Sequence, residues 1–469
     1  MSNTSLKPEK KNKARLAALF TAKDPADRRA AGHRLTAITA SIALCAMALL
    51  SFALPLRPDY SESELRSLAE FPSPTWETVM NGEFFSGIDT WFADTFPLRE
   101  QFISPSASLE SLYGYQSTVI HGDVQQGDEI PDAPLNDGEG ENIAEDNIPE
   151  VPPPPVIPEL DPAAKIETLG ALLVVDDAAY EYYNFVASTA NNYITTVERA
   201  AALLAEDANV YNILIPNSMD ICVPESVRAQ LTTSSQRDAI NYFYNSYSPN
   251  VNAVDIFDTM LRHSVDGEYL YFRTDHHWTA LGAYYAYCDF MTSQGKTPAD
   301  LETNFTEHVF EGFTGSFVRE TNSAAMKENP DTVYAYEPNS TNDITIHWAD
   351  GAVTPYTIIT DVSTWGASSK YASGFIGGDN PLSVIENPNI TDGSSIVLVK
   401  ESYGNCFAPF LAESYQYVYV VDFRYYNDIQ SGTLIDLVRE KGIDDVLFLN
   451  SISTTRSEGL IGQLARFVG

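Results

Sequence analysis

The sequence predicts an α/β protein built on a mainly parallel, doubly wound sheet. Three observations predict it. Short uninterrupted apolar runs, rich in β-branched residues and bounded by turn residues, recur at 209–215, 395–399, 417–421 and 445–449, the pattern of strands buried on both faces. Helical segments alternate with several of these runs, which argues for crossover connections and parallel pairing. The chemically distinctive residues Asn217, Asp275 and Ser402 all fall just after apolar segments, and in such sheets ligands gather at the carboxyl ends of the strands.

In chain order, residues 1–34 are polar, with nine Lys/Arg against three Asp/Glu, and read as a basic tail. Residues 35–56 carry no charge. Twenty-two such residues as a helix cross a bilayer core of about 30 Å. The basic side precedes the span, so the positive-inside rule places the tail in the cytoplasm and the rest outside, as an uncleaved single-pass anchor in the plasma membrane. Residues 57–120 form an aromatic-rich first segment of the exterior part, ending in a strand at 116–120. From 121 to 161 there are twelve Asp/Glu and no Lys or Arg, with a run of four prolines at 152–155. That composition predicts a disordered acidic insertion that can be removed without loss of folding.

The main domain, 162–469, resumes with a strand at 169–175, then a helix over 185–206 and a strand over 209–215. A helical segment follows near 225–246, then a short strand at 254–256. Thr279 is placed to cap a helix whose Leu281, Tyr284, Cys288 and Met291 form an apolar stripe. Residues 300–390, rich in Asn, Thr and Gly with short β-like runs, read as an excursion over the site. Strands at 395–399, 417–421 and 445–449 close the sheet, with a helix at 431–441 between the last two. No internal repeat is evident.

Composition narrows the partners. The net charge of −36 opposes binding to nucleic acid, whose phosphates would be repelled. Outside the apolar span only Cys222, Cys288 and Cys406 remain, an odd number that implies no disulfide framework. Cys288 and Cys406 read as core residues.

The chemistry centres on YFRTDHHWTALG, residues 271–282. Asp275 and His277 are two apart, so in an extended loop both side chains leave one side. The carboxylate can then hold the imidazole through Nδ1 and leave Nε2 as a base. The matching nucleophile is Ser402, between the strand at 396–399 and an apolar, helix-like stretch at 406–411. There backbone N–H groups and a helix N-terminus favour an oxyanion. Gly404 permits close approach, Tyr403 and Asn405 lie in the same turn, and Asn217 at a strand end is either a further donor or the anchor of an Asx-turn. Arg424 and Tyr425, after another strand, are candidates to orient a polar substrate, or else a surface ion pair. His276 points to the opposite face from its neighbours and reads as a supporting residue. A metal set would need further clustered ligands that the chain does not offer, so no metal or cofactor is expected. Trp278 reads as packing beneath the loop.

Asp275-x-His277-Trp278, taken with the later Ser402, resembles the DHHW family. It is similar also to the alginate O-acetyltransferase-type branch of the SGNH hydrolase superfamily. Phe71-Pro72, Asn81-Gly82, Phe84-Phe85, Asp89, Trp91-Phe92, Asp94 and Pro97-x-Arg99 resemble that family's first exterior segment, and Phe313-Thr314-Gly315-Ser316 resembles one of its site segments. The resemblance covers about residues 62–455, broken by one insertion. It implies an extracytoplasmic three-layer α/β/α sandwich with Ser402 as nucleophile, His277 as base and Asp275 as its orienter. It further implies transfer or hydrolysis of an acyl ester, acetyl by preference, on a cell-envelope or secreted polysaccharide, beside a multi-span membrane O-acyltransferase that supplies the acyl group. The nucleophile here stands in Lys400-Glu401-Ser402-Tyr403. The acidic neighbour Glu401 is the feature that favours the other reading, a non-catalytic glycan-binding or polysaccharide-assembly protein on the same fold.

Overall fold

A computed structural model describes residues 155–348, 350–426 and 432–469, the stretch 126–131, and scattered positions between 60 and 95. The chain divides into two compact units, 1–115 and 116–469. In the first, β1 (Tyr60–Ser61) pairs antiparallel with β2 (Arg66–Ser67), and the Phe71 ring meets Trp91 edge-on at 4.8 Å. The basic tail, the apolar span 35–56 and the strand expected at 116–120 lie outside the described residues. Among the described residues no helix is long and apolar enough to cross a membrane.

The second unit opens with a three-stranded antiparallel sheet of β3 (Ile166–Leu169), β4 (Leu172–Val175) and β5 (Ala178–Glu181). The single strand expected at 169–175 is therefore a hairpin apart from the main sheet. Gly170, at φ 56°, makes the reversal inside an otherwise continuous apolar run. The main sheet draws on β6 (Asn209–Ile215), β7 (Val251–Ala253), β10 (Asp343–His347), β11 (Val353–Thr357), β12 (Leu382–Glu386), β13 (Ser395–Lys400), β14 (Tyr417–Asp422) and β15 (Asp445–Ser451). Its order is β11-β10-β12-β14-β13-β15-β6-β7. From β14 to β7 every pairing is parallel, and β12, β10 and β11 extend it antiparallel. The fold is thus mixed α/β with a mainly parallel sheet. Every residue of β13 and β15 is buried, the reason both read as unbroken apolar runs.

The longer helices are α1 (Ala187–Leu203), α2 (Gln236–Asn245), α3 (Phe257–Val265), α4 (Ala280–Ser293), α5 (Leu434–Lys441) and α6 (Glu458–Val468). Five of them pack in two groups, α1 with α5 and α6, and α4 with α3 and the short helix Ala408–Leu411. Thr279 caps α4 by accepting from Gly282 N–H at 3.3 Å. The buried face of α4 is Ala283, Ala286, Tyr287, Phe290 and Met291, rotated from the expected stripe, and Leu281, Tyr284 and Cys288 are half-buried beside it.

Other elements depart from expectation for local reasons. The helical segment expected over 225–246 is broken into Glu225–Arg228 and α2, whose start Ser235 caps. The strand expected at 254–256 lies earlier, at β7, and Val254–Ile256 lead into α3. The stretch 300–390 is more than an excursion. It supplies the hairpin of β8 (Phe305–Phe313) and β9 (Asp331–Pro338) as well as β10, β11 and β12. The two described ends of the acidic insertion, 126–131 and 155–161, have no regular structure, yet they dock on the domain. Asp128 N–H donates to Phe185 O at 2.8 Å, and its carboxylate accepts from Ala187 N–H at 2.9 Å at the start of α1. A Cβ at Gly127 would come within 2.9 Å of Phe185 N. Ile130 and Ile157 pack on the main core and Leu160 on a second cluster.

Candidate active site

β13 delivers the nucleophile candidate. After Lys400 the backbone stays extended at Glu401 and then closes a 3-10 turn, Ser402–Gly404. Gly404 N–H donates to Glu401 O at 2.9 Å and Asn405 N–H to Ser402 O at 3.2 Å. Gly404 is needed for close approach: a Cβ there would lie 2.5 Å from Lys400 Cβ. The helix expected over 406–411 is shorter, Ala408–Leu411, so Ser402 sits on a 3-10 turn and not at the head of a long helix. Glu401 turns away from the serine onto the end of β15. Its two oxygens accept from Asn450 Nδ2 and Ser451 N–H, both at 2.8 Å, and burial pushes its carboxyl above the usual range.

The acid–base loop is a tight one. Tyr271 bridges Trp278, Phe272 N–H donates to His277 O at 3.2 Å and Thr279 N–H to Leu270 O at 2.8 Å. Inside it, His277 Nδ1 lies 2.5 Å from Asp275 Oδ1, and His277 N–H donates to the same oxygen at 3.0 Å. His277 Nε2 lies 2.7 Å from Ser402 Oγ. The structure therefore brings Ser402, His277 and Asp275 into one hydrogen-bonded chain. Asp275 Oδ2 accepts from Ser316 N–H at 2.7 Å. Burial alone would raise the Asp275 carboxyl, but the imidazoles of His276 and His277 and the Ser316 N–H hold it well below the usual carboxylate range. Gly315 makes that approach possible, because a Cβ there would lie 2.2 Å from Asp275 Cβ. His276 Nδ1 lies 2.8 Å from Ser316 Oγ. Its ring is tilted over that of His277 at 3.9 Å, and burial, then His277, push its imidazole below the usual value.

Three aromatic residues tie the two segments together. Trp278 is fully buried, lies parallel to Phe407 and donates Nε1–H to Tyr403 O at 2.9 Å. The Tyr403 hydroxyl donates in return to His276 O. Tyr371 stacks on His277, ring centres 4.4 Å apart, and its hydroxyl donates to Ser402 O at 3.2 Å. The distance from serine to imidazole is thus set by contacts on either side of the reacting atoms.

The remaining candidates lie elsewhere or are already engaged. Asn217 caps the short helix Ser218–Cys222 through its own Oδ1, and its Nδ2 donates to Glu181 O at 3.2 Å. This is the Asx role, the second of the two readings. Asn405 Nδ2 donates to Asp379 Oδ1 at 2.9 Å, which ties its side chain to that carboxylate. Arg424 grips Asp422 through Nε at 2.8 Å and Nη2 at 2.6 Å, and reaches Asp379 at 2.7 Å. The fully buried Lys400 bridges the same carboxylates at 3.0 and 3.1 Å. Arg424 is therefore part of a half-buried charge cluster beneath the nucleophile turn and not a free substrate clamp, while Tyr425 lies exposed beside it. Cys406 is buried, with its thiol pushed up to about 12 by desolvation, and is no nucleophile.

Asp275, His276 and His277 have ligand atoms within 4.8 Å of one another, a spacing a metal ion would accept. Both His277 nitrogens, however, already face Asp275 and Ser402, and His276 Nδ1 faces Ser316. Fewer than the three or four ligands of a zinc or manganese site are left. Sequence reasoning missed Tyr371, Asp331 and Asp379. None carries a local motif; only Gly315-Ser316 had a signal, through its resemblance to a family segment.

Comparison with known proteins sets this geometry in context. The DHHW protein family matches residues 64–152 and 143–421. A DHHW family protein from Eubacterium siraeum is 29% identical, with a TM-score of 0.59 over 66% of this chain and 100% of that one. Bacillus cereus PatB1, solved with a sulfonyl adduct, is 19% identical with a TM-score of 0.50, covering 66% of this chain and all of PatB1. The O-acetyltransferase domain of Pseudomonas putida AlgJ aligns more loosely, at 13% identity and a TM-score of 0.36 over 62% of this chain and 96% of that one. No curated protein matches the chain. The family match spans most of the sequence and includes the loop that carries Asp275, His276, His277 and Trp278, so the chain belongs to the DHHW family.

Proposed function

We propose that the protein transfers or hydrolyses an acyl ester, acetyl by preference, on a cell-envelope or secreted polysaccharide, using an SGNH-type three-layer domain. The observation that carries this reading is the bonded chain from Ser402 Oγ through His277 to Asp275, with both links at or below 2.7 Å. His277 Nε2 takes the Ser402 proton as Oγ attacks the acyl carbonyl, and Asp275 stabilises the imidazolium that forms. The oxyanion falls to the backbone N–H groups of Ser402 and Tyr403, since those of Gly404 and Asn405 are spent inside the turn. The leaving group takes the proton back from His277. A sugar hydroxyl or water, deprotonated by the same Nε2, then releases the acyl group from Ser402.

The wider setting is part of the proposal. Residues 35–56 anchor the chain with its N-terminus in the cytoplasm, the main domain works outside, and a multi-span membrane acyltransferase supplies the acyl group. A sulfonyl adduct on PatB1 supports choosing a sulfonyl fluoride as the probe for an activated serine here. The full-length protein should hydrolyse p-nitrophenyl acetate slowly and be labelled by that probe at Ser402. Ser402→Ala should abolish both and His277→Ala nearly so, because triad members act as a unit, whereas Cys406→Ser should retain activity. Hydrolysis that survives Ser402→Ala would sink the serine mechanism. An inert protein that still binds polysaccharide would favour the assembly role.

A further inference from the structure

We infer that Asp331, at the start of β9, is a positioning residue that sets the acid–base loop; this rests on the serine mechanism proposed above. Asp331 is 58 and 54 positions away in sequence from Arg273 and His277, yet its side chain is completely buried against the loop. Four donors converge on it. Oδ2 accepts from Thr274 N–H at 2.8 Å and from Thr274 Oγ1 at 2.7 Å, and Oδ1 accepts from Tyr269 OH at 2.5 Å and Arg273 Nε at 3.1 Å.

Thr274 passes this order on. Because its hydroxyl proton is committed to Asp331, a lone pair is left to accept from Gly315 N–H at 3.1 Å. Its carbonyl accepts from Phe317 N–H at 3.0 Å. Those two bonds hold residues 315–317 against the loop, which places Ser316 N–H 2.7 Å from Asp275 Oδ2. Asp275 then has one oxygen fixed by Ser316 and the other left for His277. The order runs from Asp331 through Thr274 and the 315–317 backbone to Asp275. An asparagine at 331 has one acceptor oxygen where four donors converge, and its amide would face donors. The loop would have to shift, and near-ångström shifts at a reacting pair are expensive.

The test is steady-state p-nitrophenyl acetate hydrolysis, sulfonyl fluoride labelling of Ser402 and thermal melting on the full-length protein. Thr274→Val keeps the shape and deletes the hydroxyl, and should lower kcat and labelling rate by roughly tenfold or more with KM little changed. Asp331→Asn should fall at least as far. Thr274→Ser keeps the hydroxyl and deletes a buried methyl, so it should melt lower than the parent and yet keep most of kcat. Thr274→Val loses two buried bonds and should melt lower as well. Measured well below its melting temperature, its kcat and labelling rate should still be low, while the destabilised Thr274→Ser keeps both, and loss of folded protein alone cannot produce that split. If Thr274→Val keeps full kcat, or if both Thr274 variants lose activity in step with melting temperature, the positioning role is wrong. Should Ser402→Ala remain active in the same assay, it is the serine mechanism that fails, independently of Asp331.

Discussion

At the scale of single residues, Glu401 shows how position and direction differ. Beside the nucleophile in sequence, an acid suggests interference with a developing oxyanion. In space its carboxyl is buried against β15, occupied by Asn450 Nδ2 and Ser451 N–H. Glu401 thereby ties the nucleophile turn to the neighbouring strand, and its removal should harm the site instead of freeing it. Glu401→Ala leaves two buried donors without partners, at a cost of roughly 1–3 kcal/mol. The expected outcome is a lower melting temperature together with lower p-nitrophenyl acetate hydrolysis. A gain in activity would show that the acid restrains the serine after all. The pairing of Asp275 with His277 was legible because their two-residue spacing carries the geometry, and Ser402 because it directly follows an unbroken apolar strand. Asn217 and Arg424 were ambiguous because a strand-end Asn or Arg serves turns and ion pairs equally well, and only the partners Glu181 O, Asp422 and Asp379 decide.

At the scale of elements, legibility followed burial. β6, β13, β14 and β15 lie at the centre of the parallel sheet, where burial on both faces turns a strand into a plain apolar run. The same uniformity concealed the β3–β4 hairpin, because Gly170 was the only break in the run. It also misdirected the stripe read for α4, since tyrosines at 284, 285 and 287 make more than one side apolar. Residues 300–390 carry only short β-like runs and no catalytic motif, which is why Asp331 and Tyr371 escaped notice, while Ser316 was marked only through the resemblance of Phe313–Ser316 to a family segment. The acidic insertion was misjudged at its ends. Composition describes its average, while Asp128, Ile130, Ile157 and Leu160 make individual contacts. Replacing 133–154 by a short Gly/Ser linker should leave the melting temperature nearly unchanged, because loop length enters closure entropy only logarithmically. Replacing all of 121–161 should cost about 2–4 kcal/mol, from lost apolar burial and the lost cap on α1. Equal melting temperatures for the two deletions would mean that the docked ends contribute nothing.

At the scale of the whole molecule, charge governs how stability responds to pH. The chain carries a net charge of −36, and self-repulsion of that size weakens the folded state until protons relieve it. Buried carboxyls add to the same trend. Burial raises Asp220, Asp289 and Glu401 above their usual values, so each contributes stability that is full below its unfolded pKa and is lost as pH rises through its folded one. Asp275 and Asp379 are opposite in sign. Burial alone would raise them, but His276 and His277 in one case, and Lys400 and Arg424 in the other, hold them well below the usual range. Their contribution is present above an ordinary carboxylate pKa of about 4 and disappears as pH falls through their lower folded values. His276, held low by burial, also favours the less acid side, but as one partly exposed group against these three raised carboxyls and the whole surface charge. Melting temperature should therefore rise as pH falls from 8 towards the upper edge of carboxylate titration, about 5, and drop below about 4 as Asp275 and Asp379 are forced to protonate. Thermal melts across that range at fixed ionic strength test it. Replacing Asp379 by Asn should blunt the acid drop, since one depressed carboxylate is gone, while lowering stability at neutrality because buried Lys400 loses one of its two partners. A melting curve that falls steadily from pH 8 to pH 5 would show that surface repulsion and the buried, raised carboxyls do not govern this fold.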